Sequence, residues 1–290
     1  MNKKQISKKR VIIVITFAIL LAVVFAIILH ANMPGEVNIE DFDSVFVKLF
    51  GFPLVAIFYF VILFIHCVIV MRYYGKQSDM PRLQIGVRFG LVFASLYMIG
   101  MQEIVVEGSP FKEWGFAFVR YQFFMGLADA IPVLLLCIIV AYFTLGKRNT
   151  IVSKKLLTGK EKIKIITLIS IAFLIVRAIG YETGIIANNC DIYPIECYMW
   201  TIMFGIILGS SYIVLYPVFY NEKNKIVMSF KLVVLTIGLN WMIFNSFIGL
   251  IFSNVLFQMI LRSVLDIVGF FLVSIVINRY IIRSNKSVKL

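Results

Sequence analysis

This sequence predicts an all-α fold: a polytopic transmembrane bundle of about eight helices, with both termini cytoplasmic. Three observations carry that expectation. The 290 residues are 61% hydrophobic and only 15% charged, and the mean hydropathy is +0.96, a balance foreign to ordinary soluble domains. The apolar residues come in long runs, each able to cross a hydrocarbon core about 30 Å thick, which takes roughly 20 helical residues. The charges fall between the runs with a bias of sign. Of the 28 Lys and Arg, 22 lie on one set of loops and termini, whereas the other set holds Lys48 and Lys112. That asymmetry is the positive-inside pattern, and it sets the orientation.

The same observations exclude other classes. The runs do not alternate polar and apolar residues, as β-barrel strands do. No polar stretch exceeds about 20 residues, so one integral membrane domain covers residues 1–290. The net charge of +13 follows from topology, without a nucleic-acid partner. The expected partner of the basic face is a lipid bilayer with anionic headgroups. The Lys-, Ile- and Asn-rich composition is compatible with an AT-rich genome, so a bacterial cytoplasmic membrane is the expected location.

Taken in order, the first run follows a basic N-terminus and covers 11–30. It is too long for the apolar part of a signal peptide and is read as a retained helix. The acidic outer segment with Glu36, Glu40, Asp41 and Asp43 leads into helix two, 45–71. Helix three covers 83–106, and helix four covers 117–145. The most basic loop precedes helix five, 165–186. Helix six covers 198–220, after an outer loop with Cys190 and Cys197, whose spacing permits a disulfide. Helices seven (232–252) and eight (255–277) are split at Ser253-Asn254, because the merged run is too long for one span.

Small-residue spacings mark packing faces. Gly86/Gly90, Gly180/Gly184 and Gly205/Gly209 each read Gly-x-x-x-Gly, which lets helix backbones approach closely in lipid. Gly180 and Gly205 fall at similar heights, so helices five and six are expected to pack tightly there. A faint similarity at a spacing of 80 (Phe93, Ile99 and Gly100 against Phe173, Ile179 and Gly180) is compatible with a parallel repeat of the two central hairpins.

The chemistry-bearing residues are charges inside the runs, which are costly in hydrocarbon and mark functional sites or register-fixing pairs. Counted from the basic end, Asp129 stands at about 25 Å, Arg177 at about 20 Å, Asp266 at about 17 Å and Arg262 at about 23 Å. Glu182 and Asn245 fall in the same band, and Glu103 and Arg120 nearer the outer interface. Arg262 and Asp266 are four apart and can pair along their own helix. Arg120 and Asp129 are nine apart and face opposite ways, which leaves Arg177 as the expected partner of Asp129. Gly126 and Pro132 flank Asp129 and should loosen helix four, as in interrupted transporter helices. Arg88 lies near the basic end and should snorkel to the headgroups.

No Gly-rich phosphate loop, zinc cluster or His-Glu-x-x-His is present, and no cofactor is expected. His30 and His66 are read as isolated interfacial residues. Trp114, Tyr121, Tyr198 and Trp200 read as an outer aromatic belt. Gly126-Leu-Ala-Asp129 resembles the Gly-x-Gly-Asp motif of intramembrane aspartyl proteases over four residues, with Ala128 in place of the second glycine. A catalytic dyad must share a proton, and Arg262 would hold the second acid, Asp266, ionised, so no catalytic residue is assigned. The expectation is a transporter- or permease-like protein that handles a small solute at the polar cluster. The alternatives are a non-transporting sensor, immunity or assembly component and a lipid-modifying enzyme. An open cavity would favour the first, and a closed, fully paired core the second.

Overall fold

The computed structural model describes residues 7–33, 42–106, 116–146 and 157–282, the side chains of 104–106 and 116–119 excepted. Among them all regular structure is helical. Eight helices are long and apolar enough to cross a membrane: α1 (Lys8–Ala31), α2 (Phe52–Gln77), α3 (Arg82–Gly100), α4 (Phe116–Thr144), α5 (Gly159–Glu182), α6 (Pro194–Phe219), α7 (Lys225–Ile251) and α8 (Leu256–Ile281). The acids Glu36, Glu40 and Asp41, and Lys112 and Trp114, lie outside the described residues.

Seven helices close a ring in the order α3, α4, α2, α7, α8, α5, α6 and back to α3, and α1 lies outside it against α4 and α2. The ring interior is packed with Leu63, Phe64, Phe89, Phe93, Tyr97, Phe204 and Trp241. The outward faces expose large apolar side chains, among them Phe17, Phe58, Ile69, Ile175, Phe257 and Leu272. Apolar surface this extensive needs an apolar environment, which fits a multi-pass membrane protein. The helix ends collect at two faces. One is the basic end, and the other carries Cys190 and Cys197, here termed the disulfide end.

Helix limits follow capping chemistry rather than the edges of the apolar runs. The α5 helix starts at Gly159, six residues before the run, because Thr158 and Glu161 form a capping box. It stops at Glu182, and Gly184 follows at φ +70°. The expected helix over 45–71 is instead two pieces, Val45–Phe50 and α2, broken at Gly51 with φ +78°. Beyond Gly100, α3 tightens into a 3₁₀ turn, Met101–Val106. Pro132 sits inside an unbroken α4, so the expected interruption there is absent.

The α7–α8 split at Ser253-Asn254 is a tight turn held from outside. Asn254 takes φ +63°, a left-handed conformation that Asn tolerates. The Ser253 amide donates to Asp43 Oδ1 at 2.8 Å and its hydroxyl to the Asp43 carbonyl at 2.9 Å. The Ser44 hydroxyl donates to the Leu250 carbonyl at 2.6 Å. A Cβ on Gly249 would stand 2.4 Å from Leu256 Cα, so the two helices meet backbone to backbone.

Glycine sets two further helix contacts. A Cβ on Gly86 would meet the Cys137 carbonyl at 2.8 Å, and one on Gly90 would meet Leu134, which seats α3 on α4. Gly205 and Gly209 seat α6 on α5, each with a backbone Cα at 2.8 Å, those of Ser170 and Ile166. The tight α5–α6 contact therefore exists, but Gly180 is not part of it. A Cβ there would strike Ile186 of its own following loop at 2.5 Å, while Gly184 faces open space. The Gly180/Gly184 spacing is a helix ending, not a packing face.

Within α7, Phe230–Gly238 is a π-helix. The Thr236 hydroxyl donates to the Lys231 carbonyl at 2.8 Å, and His66 Nε2 reaches the Leu235 carbonyl at 3.1 Å. His66 is therefore buried between α2 and α7 rather than interfacial, with Asn240 at its Nδ1, 3.2 Å away. Arg88 does not snorkel either, and donates to the Val214 carbonyl of α6 at 2.6 Å.

Gly205→Ala should cost about 1–3 kcal/mol through overpacking against Ser170, read as a lower melting temperature in detergent. Gly159→Ala, whose Cβ meets nothing within 4 Å, should stay within about 0.5 kcal/mol of the parent.

The backbone amide of Ser253 holds the Asp43 carboxyl below its usual range. Its stabilisation is then complete above the unfolded value of about 4 and lost as pH falls through the lower folded value. Asp43→Asn should lower the melting temperature at pH 7, and the gap should close under strong acid.

Candidate functional site

Near the disulfide end, the ring encloses a layer of four charges from three elements. Arg177 of α5 is fully buried. Its Nε donates to Asp266 Oδ1 at 2.6 Å and its Nη2 to Asp266 Oδ2 at 2.5 Å, a two-pronged link to α8. Its Nη1 donates to Glu103 Oε1 on the 3₁₀ turn after α3 and, at 3.3 Å, reaches the Tyr181 hydroxyl. Arg262, on α8, donates from Nη1 to the same Glu103 Oε1 at 3.1 Å and from Nη2 to the Ala187 carbonyl at 3.1 Å. Two guanidinium groups thus meet two carboxylates, and the formal sum is zero.

An aromatic wall lines one side of this layer. The Arg177 guanidinium carbon lies 5.3 Å from the ring centres of both Phe173 and Trp200, within cation–π range. Trp200 stacks on Phe204 at 5.0 Å, and Phe204 meets Trp241 at 4.4 Å. Trp241 Nε1 donates to Asp266 Oδ2 at 2.9 Å. Gly100 makes the space for that indole, since a Cβ there would stand 2.5 Å from Trp241. Trp200 is accordingly buried, with its Nε1 donating to the Ile99 carbonyl at 2.9 Å, and is no part of an interfacial belt.

The disulfide-end loop closes over the layer. Cys190 and Cys197 are bonded, with Cα atoms 5.4 Å apart, which ties the loop to the start of α6. Ala187 in that loop supplies the carbonyl for Arg262, and its amide donates to Gln258 Oε1 of α8 at 3.2 Å.

The layer brings together Arg177, Arg262 and Asp266, as expected, but with other pairings. Asp129 does not meet Arg177. It faces His30 of α1, with Nε2 to Oδ1 3.4 Å, because α1 packs on α4. Asp266 is held by Arg177 of α5, and Arg262 turns to Glu103. Glu103 is not an outer-interface charge. The 3₁₀ turn advances its residues faster than an α-helix would, and Glu103 is buried between two arginines. Glu182 leaves the cluster: it is exposed at the end of α5 and accepts from the Tyr198 hydroxyl at 2.9 Å. Asn245 lines the same region and donates to Ser263 at 2.9 Å. Arg120 is exposed, its guanidinium 5.9 Å from the Phe124 ring centre. Sequence spacing gave no hint of Gly100, Tyr181 or Trp241. The signal for Glu103 was charge balance, since two buried arginines need a second acid beside Asp266.

A water-sized cavity of about 20 Å³ lies against the layer, bounded by Glu103, Arg262, Asn245, Met259, Phe244 and Tyr59. Glu103 Oε2 has no hydrogen-bond partner among the described residues. Comparison with known protein families, with curated proteins and with solved structures finds no match.

Arg177→Met would leave Asp266 without the counter-ion that grips it, with Glu103 still held by Arg262, and should cost about 3–5 kcal/mol. Adding Asp266→Leu should recover part of that loss, read as non-additive melting shifts in detergent.

Proposed function

We propose that this chain is a multi-pass membrane protein that binds a small anionic or zwitterionic solute beside Arg262 and passes it across the bilayer, in the manner of a permease. The observation that carries the reading is the cavity against the charge layer, bounded by Arg262 and Glu103, whose Oε2 has no hydrogen-bond partner among the described residues. In this reading both termini are cytoplasmic, and the basic end faces the anionic leaflet of a bacterial cell membrane.

The mechanism follows from unequal links. Arg177 grips Asp266 through two bonds and adds a third to Glu103, while Arg262 reaches Glu103 through one at 3.1 Å. A solute carboxylate of similar basicity competes for Arg262, because that exchange replaces the bond to Glu103 with another charged bond. Glu103 keeps Arg177 as its counter-ion throughout, so no charge stands alone in the apolar interior. A water-sized cavity holds no solute, so binding requires α7 and α8 to part from α2 around Phe244 and Met259.

A second reading is favoured by the closure of the layer. Four charges that sum to zero behind an aromatic wall serve equally as a register lock in a non-transporting membrane component.

Small carboxylates and amino acids should be tested on the purified protein by thermal shift, and then as radiolabelled solutes in proteoliposomes. A permease should yield a solute that stabilises the parent, is taken up, and loses both effects in Arg262→Gln at unchanged fold. Absence of both binding and uptake across the panel supports the register lock.

A further inference from the structure

Away from the charge layer, α1 and α4 meet at a polar pair. Asp129 is 2% exposed, and its Oδ1 accepts no hydrogen bond among the described residues. His30 Nε2 lies 3.4 Å from it. The other ring nitrogen, Nδ1, lies 2.8 Å from the Ala26 carbonyl. A carbonyl only accepts, so Nδ1 carries the hydrogen. In a neutral imidazole the second nitrogen then presents a lone pair. That lone pair stands 3.4 Å from a carboxylate, which when ionised also only accepts. Two acceptors face each other unless one more proton is present.

We propose that His30 and Asp129 form a proton-binding site that holds one shared proton between Nε2 and Oδ1 and thereby latches α1 to α4. With the proton on the imidazole, the pair is an ion pair. With it on the carboxyl, the acid donates to a neutral imidazole. Either form satisfies both atoms, and loss of the proton satisfies neither. Among the described residues, the other ionisable groups that act on Asp129 are hydroxyls, Tyr59 from α2 and Tyr121 from α4 itself, and neither brings a cation that could replace the proton. His30 is the route to solvent: its side chain is 24% exposed, one residue from the end of α1 at the disulfide end. Phe60 of α2 stands at 5.5 Å from its ring centre and closes the opposite side. The site does not rest on the solute-binding reading, since it shares no residue with the charge layer.

The sign of the pH dependence follows. Between about pH 6.5, where a free imidazole deprotonates, and the higher pH at which the folded pair releases its proton, the folded state binds more protons than the unfolded one. Stability therefore falls as pH rises through that window. Two variants remove the need for the proton. Asp129→Asn offers an N–H to the neutral imidazole, and His30→Gln offers one to the ionised carboxylate.

The test is the melting temperature of the full chain in detergent from pH 5 to 9, with parent, Asp129→Asn and His30→Gln side by side. The expected result is a step down with rising pH in the parent that is lost in both variants. A step of equal size in all three, or no step in the parent, overturns the site. If neither variant folds, imidazole ¹⁵N spectra of the parent decide. The chain has two histidines, and His66→Gln identifies the signal of His30. That signal should show Nε2 engaged in a hydrogen bond. An Nε2 without a hydrogen-bond partner would overturn the proposal.

Discussion

The fold depends on how the interior solves the problem of Arg177. A guanidinium deprived of water is tolerable only if its charge and its donors are answered on the spot. Asp266 answers two directions, and Glu103 a third. This requirement fixes the rotation of α5 and α8 and the height of the turn after α3, because each acid must arrive within a few tenths of an ångström. The surrounding residues serve the same demand. Trp241 takes the second lone pair of Asp266 Oδ2, Gly100 gives the indole its space, and Tyr181 stands beside Nη1. Glycine seams elsewhere bring the backbones close enough for side chains to reach the layer. The α3–α4 and α5–α6 hairpins rest on Gly86, Gly90, Gly205 and Gly209, where any side chain would push the helices apart.

Hydropathy revealed the eight long apolar helices because their length and composition follow from the thickness of a bilayer. The α7–α8 break was legible for the same reason. Helix limits were less so, since Thr158 with Glu161 sets the start of α5 and Gly51 splits the segment before α2, whatever the hydropathy. The candidate site was legible by residue type and height. Arg177, Arg262, Asp266 and Asn245 do share one region. The pairings were not, for two physical reasons. Height along a helix says nothing of which neighbour lies beside it, so Asp129 was matched to Arg177 although α1, not α5, packs there. A straight helical count also fails where the helix changes pitch, and Glu103 enters the interior only through its 3₁₀ turn. Gly180/Gly184 shows the same gap between pattern and context, since its spacing matches a packing motif while its place is a helix end.

The irregular stretch of α7 answers a related need with uncharged groups. Its wider turns leave the Leu235 carbonyl open to His66 of α2, and Asn240 one turn later completes the imidazole. Helices α2 and α7 are thereby joined by hydrogen bonds in a region that carries no formal charge. The interior thus joins α3, α5 and α8 through ionic links, and α2 and α7 through uncharged hydrogen bonds.

The distribution of the four charges along the chain has a consequence for how the molecule is made. Glu103 is synthesised first, and Arg177 next, so an acid already in place meets its counter-ion as soon as α5 arrives. Arg262 and Asp266 come last and together, one helical turn apart on α8, where they can neutralise each other before docking. On docking they exchange partners, Asp266 for Arg177 and Arg262 for Glu103. After α5 has joined, every stage from nascent chain to finished bundle can keep its buried charges balanced. The order of residues along the gene thus solves, in time, the problem that the finished layer solves in space.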